Sequence, residues 1–388
     1  MTQASSDVLI LGSGIVGMAT LIAIDKYDIK AALLSEAKTI HKKEIDPRFY
    51  AITPGVKTWL EKNGVWTFLP KKEVSSVRSI IVYSDKEHSS LKFNADDAEM
   101  NELAFIVNHD ELEKAFIHRI RKISYEEIKT NKVESLSAGV KEINLSYAND
   151  NVRQFKLAIG ADGTNSWVRS QSSIHFRYKD FDQTAIVFNI KISRAHQGSA
   201  YQKFMYHGIL ALLPIYTHEF SVVFSLNSQM IKEYESFTDD KFIQMLKNVI
   251  GEMFGDISLT TKRQYFPLNM KINKSLISYR VLLVGDAAHQ VHPLAGQGLN
   301  LGLRDVIELD ELLSSNKKYH HDLGLKSFLK KYNRNRKTDI LSVSYLTDQL
   351  SYLFSSKNHI VDFVINFGLN KINQNQLIKK ILIKKAIH

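Results

Sequence analysis

The 388-residue chain contains no cysteine. That excludes disulfides, thiolate-bound metals, iron–sulfur clusters and a cysteine nucleophile, and it fits a reducing compartment. Proline is scarce, at six residues, and no Pro-, Ser- or Gly-rich tract is present, which argues against a disordered linker. No apolar run reaches the roughly 18 residues that a membrane-crossing helix needs. The N-terminal MTQASSD lacks the positive segment of a signal peptide, so a cytoplasmic location is expected. No internal repeat is evident. Acidic residues disappear after Asp362, whereas Lys371, Lys379, Lys380, Lys384 and Lys385 follow it. The formal net charge is +10. No nucleic-acid-binding motif accompanies that charge, so no nucleic acid is expected as a partner. The tail IVDFVINFGLNKINQNQLIKKILIKKAIH reads equally as a helix packed on the body or as an element lying peripherally on the inner membrane.

What is present begins with a βαβ opening. DVLILG (7–12) reads as a buried strand, GSGIVGMATLIAI turns into a helix, and IKAALLSE (29–36) reads as a second buried strand. Gly12-x-Gly14-x-x-Gly17 lies at the first turn. That spacing serves a tight turn, close backbone approach to a diphosphate and close helix–strand packing, and Glu36 supplies a carboxylate for ribose hydroxyls. A carboxylate there disfavours a 2′-phosphate, which leaves FAD and NAD open. Further on, HDELEKAFIHRIRKI (109–123) reads as an amphipathic helix that Asp110 caps. KEINLSYA and VRQFKLAIGADG read as a hairpin. TAIVFNIKI, GILALLPI and EFSVVFSL read as strands, residues 239–254 as helix, and RVLLVGD (280–286) as another buried strand. A helix over about 298–314 follows, and the remainder is mostly helical. Asp286, His289 and His292 have the spacing of metal ligands. The adjoining strand and Pro293 argue instead for a loop that the histidines brace, so no metal is expected.

Three further segments resemble one family, the FAD-dependent aromatic hydroxylases of ubiquinone biosynthesis, related to para-hydroxybenzoate hydroxylase. They are DPRFYAITPGVKTWLEKNGVW (46–66), GADGTNSWVR (160–169) and GDAAHQVHPLAGQGLNLGLRD (285–305). With the N-terminal glycines the resemblance runs from about 7 to 312. It implies an α/β fold, with a Rossmann-like FAD-binding domain interrupted by a β-sheet substrate domain and followed by a helical C-terminal region. The corresponding segments are 1–72, 97–181 and 267–315 for FAD, 73–96 and 182–266 for substrate, and 316–388 for the helical region.

The resemblance implies FAD contacts from Gly12, Gly14, Gly17, Glu36, Arg48, Asn108, Asp162, Gly163, Asp286, Gly296, Gly298, Leu299 and Asn300. Asp286 would accept ribityl hydroxyls, and the GQGLN backbone would face the flavin's pyrimidine edge, where reduced flavin is negative. Arg169 would touch the same turn as Asp162 or fix it through an ion pair. His292 and Pro293 would lie at the substrate side as the catalytic positions. The implied activity is a monooxygenase using O2 and NAD(P)H, through a flavin C4a-hydroperoxide, on a polyprenylated phenol. With one GxGxxG, NAD(P)H would bind only transiently. Other quinone-biosynthesis proteins and the membrane surface are the implied partners. Two alternatives stay open: another flavin oxidoreductase of the same fold, such as a polyprenyl reductase or halogenase, and a non-catalytic flavin-binding subunit.

Overall fold

A computed structural model describes residues 6–35, 46–84, 90–130, 132–147, 151–291, 296–315, 317–355 and 375–387. Glu36, His292 and Pro293 therefore lie outside the described residues, as does the tail from 356 to 374.

The centre is a six-stranded sheet gathered from the length of the chain. Its order is Ile277–Ser278, Val281–Leu283, Leu157–Gly160, Val8–Leu11, Ala31–Ser35, Glu126–Lys129. All neighbours pair in parallel except the first two. The inner strands VLIL, LAIG and VLL are buried at every position, as a sheet covered on both faces requires. The helix Ile15–Asp25 is apolar almost all round and buries nine residues, from Ile15 to Ile24. It packs against the helices His109–Ile120 and Gln297–Ser315 and is thus an interior element.

The expected hairpin is present, with Ile143–Tyr147 paired antiparallel to Asn151–Phe155, but its second strand does not run on to 163 as one element. Its first strand joins a three-stranded antiparallel sheet of Val133–Ala138, Ile143–Tyr147 and Asn151–Phe155. The second run breaks at Lys156, and Leu157–Gly160 crosses into the parallel sheet. Lys156 N donates to Asp7 O at 2.7 Å, which starts the new pairing. Asn108, and not Asp110, caps the helix His109–Ile120, accepting from Asp110 N and Glu111 N.

A nine-stranded sheet forms the second layer system. The long strand Phe176–Ile192 pairs with Glu219–Asn227 on one side and Gln264–Asn273 on the other. Its alternation is strict: Ile186, Phe188, Ile190 and Ile192 enter a core shared with Phe220, Val222, Phe224 and the helix residues Phe242 and Leu246. Ala185, Val187 and Asn189, with Ser221 and Ser225, therefore lie on the opposite face. Strands Ser79–Ser84 and Ser90–Asn94 complete one edge of this sheet.

A small antiparallel sheet, Phe49–Ile52, Ala104–Asn108 and Val74–Val77, lies between the two systems. Its Phe49 and Ala51 pack with Leu213 and Ile215 of the nine-stranded sheet. Ser221 Oγ donates to Pro47 O at 3.4 Å. The helix Lys326–Ser355 buries Phe328, Leu329, Tyr332 and Ile340 in the main core, and Tyr332 OH donates to Leu283 O at 3.1 Å. No helix among the described residues is long and apolar enough to cross a membrane.

Candidate functional site

In open parallel sheets, ligands bind beyond the carboxyl ends of the strands. Here three such ends converge. Val8–Leu11 runs into Gly12, Leu157–Gly160 into Ala161–Asp162–Gly163, and Val281–Leu283 into Gly285–Asp286.

Gly12 has φ +110°, and a Cβ there would lie 2.2 Å from Ala161 O. A Cβ on Gly17 would lie 1.9 Å from Gly12 O. Both positions therefore exclude a side chain, one by conformation and contact, the other by contact alone. Gly14 differs, since nothing lies within 4 Å of its Cβ position. It precedes Ile15–Asp25 as an N-cap without a side-chain hydrogen bond, so the first N–H groups of that helix remain available to an anion.

Asp162 Oδ2 accepts from Val168 N at 3.0 Å, while its Oδ1 is buried without a hydrogen-bond partner. Gly163 has φ +80° and open space at its Cβ position. Arg169 makes no ion pair with that turn. Its Nη1 donates to Ala287 O at 3.1 Å and Nη2 to Thr164 O at 2.8 Å, tying the second strand-end loop to the third.

The third loop is braced from below. Asp305 is fully buried. Its Oδ2 accepts from Gly285 N at 2.8 Å and from His289 Nε2 at 2.7 Å, and its Oδ1 from Arg336 Nε at 2.7 Å. Burial works against the charge, yet His289 and Arg336 outweigh it and hold the carboxyl below its usual range. His289 thus braces the loop, as expected, through a partner that the spacing of the histidines did not reveal.

Asp286 is solvent-exposed, yet protein surrounds it closely enough that burial raises its carboxyl above the usual value. His289 opposes the shift and Asp305 adds to it. Exposure and crowding together describe a residue lining a narrow hollow. Burial also raises the Tyr50 phenol, Arg48 opposes this, and Asp286 adds to it. Asp286 and the strand Phe49–Ile52 therefore lie near each other.

Gly296 (φ +65°) lies against Ala51, and Gly298 has open space at its Cβ position. Leu299 packs on the main core. The Asn300 side chain is committed: Nδ2 donates to Ala51 O at 2.7 Å, and Oδ1 accepts from Thr53 N at 3.0 Å. Only its backbone can serve a ligand. The Asn108 oxygen is likewise committed to its helix cap.

Arg48 forks onto Asp46, with contacts of 2.5–3.0 Å, and lies 5.9 Å from the Phe266 ring centre. His109 Nδ1 and Tyr50 OH are 3.1 Å apart. The structure also groups Asp46, His109 and Asp110, with ligand atoms within 4.8 Å of one another. No second carboxylate–histidine group was evident in the sequence, because these residues meet only through strand pairing of Phe49 with Asn108. Asp46 is already paired with Arg48.

These features fit FAD. An uncapped helix start beside an open glycine suits a diphosphate, and a carboxylate lining a hollow suits sugar or ribityl hydroxyls. Open Gly163 and Gly298 allow a flat ring system to approach backbone. The sequence profile of the FAD binding domain family matches residues 5–340. The chain belongs to that family. FAD is its cofactor, as the sequence led one to expect.

The relatives of this FAD-binding chain include ubiquinone hydroxylase UbiL of Rhodospirillum rubrum, 26% identical over 98% of this chain and 89% of the relative. Another is the mitochondrial ubiquinone biosynthesis monooxygenase COQ6 of Danio rerio, 28% identical over 95% of this chain and 86% of the relative. Among solved structures, p-nitrophenol 4-monooxygenase PnpA from Pseudomonas putida has the same fold. Its TM-score is 0.79, with 15% identity, over 98% of this chain and 97% of that one. Klebsiella pneumoniae HpxO, complexed with FAD and uric acid, gives a TM-score of 0.75 at 14% identity, over 98% of each chain. The Rossmann-like FAD-binding architecture with a second β-sheet layer is thus the observed fold.

Proposed function

We propose that this protein is an FAD-dependent monooxygenase that hydroxylates the aromatic ring of a polyprenylated phenol in ubiquinone biosynthesis, with NAD(P)H as reductant and O2 as oxidant. The observation that carries the reading is full-length similarity to proteins named as ubiquinone hydroxylases. It is joined to a strand-end site whose open positions suit FAD.

Bound FAD supplies the two-electron chemistry by which one oxygen atom of O2 enters the ring and the other leaves as water. The chain's residues bind, orient and shield. Gly12, Gly14 and Gly17 admit the diphosphate to the helix start. Glu36 takes the ribose, and Arg48 lies beside the phosphates or the ring. Asp162 and Gly163 form the second wall, and Asp286 accepts ribityl hydroxyls. Backbone N–H groups of Gly296, Gly298, Leu299 and Asn300 serve the pyrimidine edge. Asn108 acts through its helix cap.

The substrate ring would lie toward the sheet face of Ala185, Asn189, Ser221 and Phe266, with His292 and Pro293 as the catalytic positions that the resemblance implies. That face belongs to the interrupting segments 73–96 and 182–266, which would shield the reacting atoms from water. Deleting the gene and profiling quinone precursors by mass spectrometry tests the reading. A precursor lacking one ring hydroxyl is expected to accumulate. An unchanged quinone pool, in a strain without another such hydroxylase, overturns it.

A further inference from the structure

A surface helix normally turns its apolar stripe to the core and its charges to water. The helix Gln376–Ile387 does the reverse. The residues it turns to the body are Lys379 and Ile383, 8% and 5% exposed, with Lys380 half-buried. Lys380 Nζ donates to Glu99 Oε1 at 2.7 Å, and Lys379 Nζ lies 4.0 Å from Asp97 Oδ2. Ile383 sits among Ala95, Ala98 and Leu103. Leu377, Ile378, Ile381 and Leu382 face outward, 73%, 40%, 58% and 38% exposed. At helical spacing, 377 and 381 form one row and 378 and 382 the next. The aliphatic residues are therefore one continuous outward stripe, with exposed Lys384 on its flank.

We propose that this stripe lies on an anionic lipid bilayer. The helix QLIKKILIKKAI carries lysines and no carboxylate. A second copy laid on the same face would bring Lys384 against Lys384, with the nearest carboxylates, Asp97 and Glu99, already engaged by Lys379 and Lys380. The helix also lacks the Trp, Tyr and Arg anchors on which protein interfaces concentrate their binding energy. Aliphatic residues beside lysines, without acids, suit insertion at the level of anionic headgroups. Asp97 and Glu99 engage the two inner lysines, which holds the helix to the body and leaves the aliphatic row free to enter lipid. The helix packs on the turn Ala95–Ala98, directly after the edge strand Ser90–Asn94. The bilayer thus adjoins the edge of the nine-stranded sheet. Delivery of a polyprenylated substrate at that edge is the one point that rests on the proposed function.

The test is flotation of the full-length FAD-loaded protein with vesicles. One set is pure phosphatidylcholine, and the other is an equal mixture with phosphatidylglycerol. Binding to the mixed vesicles is expected, with loss in high salt. The double variant Leu377→Asn/Ile381→Asn should bind at least about tenfold more weakly, since two aliphatic side chains lose their burial. Val152→Asn, at an exposed position on another strand, should leave binding unchanged. FAD occupancy and thermal unfolding of the double variant confirm that it is folded, because both positions point away from the body. Wild-type protein that stays with the unbound fraction overturns the proposal, as does equal binding by the double variant. A wild-type oligomer that the double variant converts to monomer in light scattering assigns the stripe to a second copy and likewise overturns it. Flotation is read without substrate, so its outcome is independent of the hydroxylase reading.

Discussion

Asp286 and Asp305 belong to one motif, and their surroundings drive them in opposite directions. Asp305 is buried but held low by His289 and Arg336; Asp286 lines a hollow and is raised by burial. The two substitutions should therefore separate fold from cofactor. Asp305→Ala leaves Arg336 buried without its main partner and should cost about 3–5 kcal/mol in denaturant unfolding of the apoprotein. Asp286→Ala should leave apoprotein stability at pH 7 equal or higher, yet weaken FAD binding about tenfold or more, the worth of one charged hydrogen bond. The pH dependence follows from the signs. A lowered folded-state carboxyl, as at Asp305, stabilises above its unfolded value of about 3.9 and loses that contribution as pH falls through the folded value. A raised one, as at Asp286, penalises the fold in full above the raised value, and the penalty shrinks as pH falls below that value and is gone below the unfolded value. The gain in melting temperature of Asp286→Ala over wild type should accordingly shrink on acidification. A gain independent of pH would contradict the assignment.

At the level of elements, the turn from the first strand into the first helix makes the sharpest contrast. Gly14→Ala meets nothing within 4 Å, and Gly17→Ala drives a methyl to 1.9 Å from Gly12 O. Apoprotein stability should stay within about 0.5 kcal/mol for Gly14→Ala, while FAD retention after gel filtration falls. Gly17→Ala should destabilise the apoprotein itself by about 1–3 kcal/mol or more through overpacking. Equal effects of the two on stability would contradict the assignment.

This turn was legible in the sequence because its glycines serve local geometry. So were the strand Val281–Leu283 and the helix Gln297–Ser315. What was not legible depends on distant partners. EEIK gives no strand signal, yet Glu126–Lys129 closes one edge of the parallel sheet, with Arg153 and Ser6 engaging Glu126. Ser199–Met205 is polar enough to read as loop, and pairing with Ser79–Ser84 makes it a strand. Asp305 lies within the quoted motif, but a buried carboxylate's role is set by whichever bases surround it. Arg336 comes from a different helix. The resemblance implies a flavin contact for Asn108, while its side-chain oxygen serves the cap of His109–Ile120, a use that only the helix start reveals.

At the scale of the molecule, two apolar cores share one chain: the parallel-sheet core around Leu9, Ile159 and Leu282, and the second around Phe188, Phe220 and Phe242. The proposed FAD contacts fall on the loops of the first. Ligand binding to the native state should therefore raise protection there selectively. Hydrogen exchange of apo and FAD-loaded protein should show slowed exchange in Val8–Leu11, Leu157–Gly160 and Val281–Leu283. Exchange in Gly208–Tyr216 and Glu219–Asn227, at the centre of the nine-stranded sheet, should change much less. Uniform slowing of both would show one cooperative unit and contradict the division.

The parallel sheet also sets an order of events at birth. Val8–Leu11 leaves the ribosome long before its neighbour Leu157–Gly160 and the strand beyond, Val281–Leu283. The arginine that steadies the last loop, Arg336, comes later still. At roughly 5–20 residues per second, synthesis takes on the order of tens of seconds to join these parts. Throughout that interval VLIL has only Ala31–Ser35 to pair with, and its other edge stays open. The nascent chain therefore needs shelter for that open edge, and the cofactor site is complete only once Val281–Leu283 and Arg336 have been made.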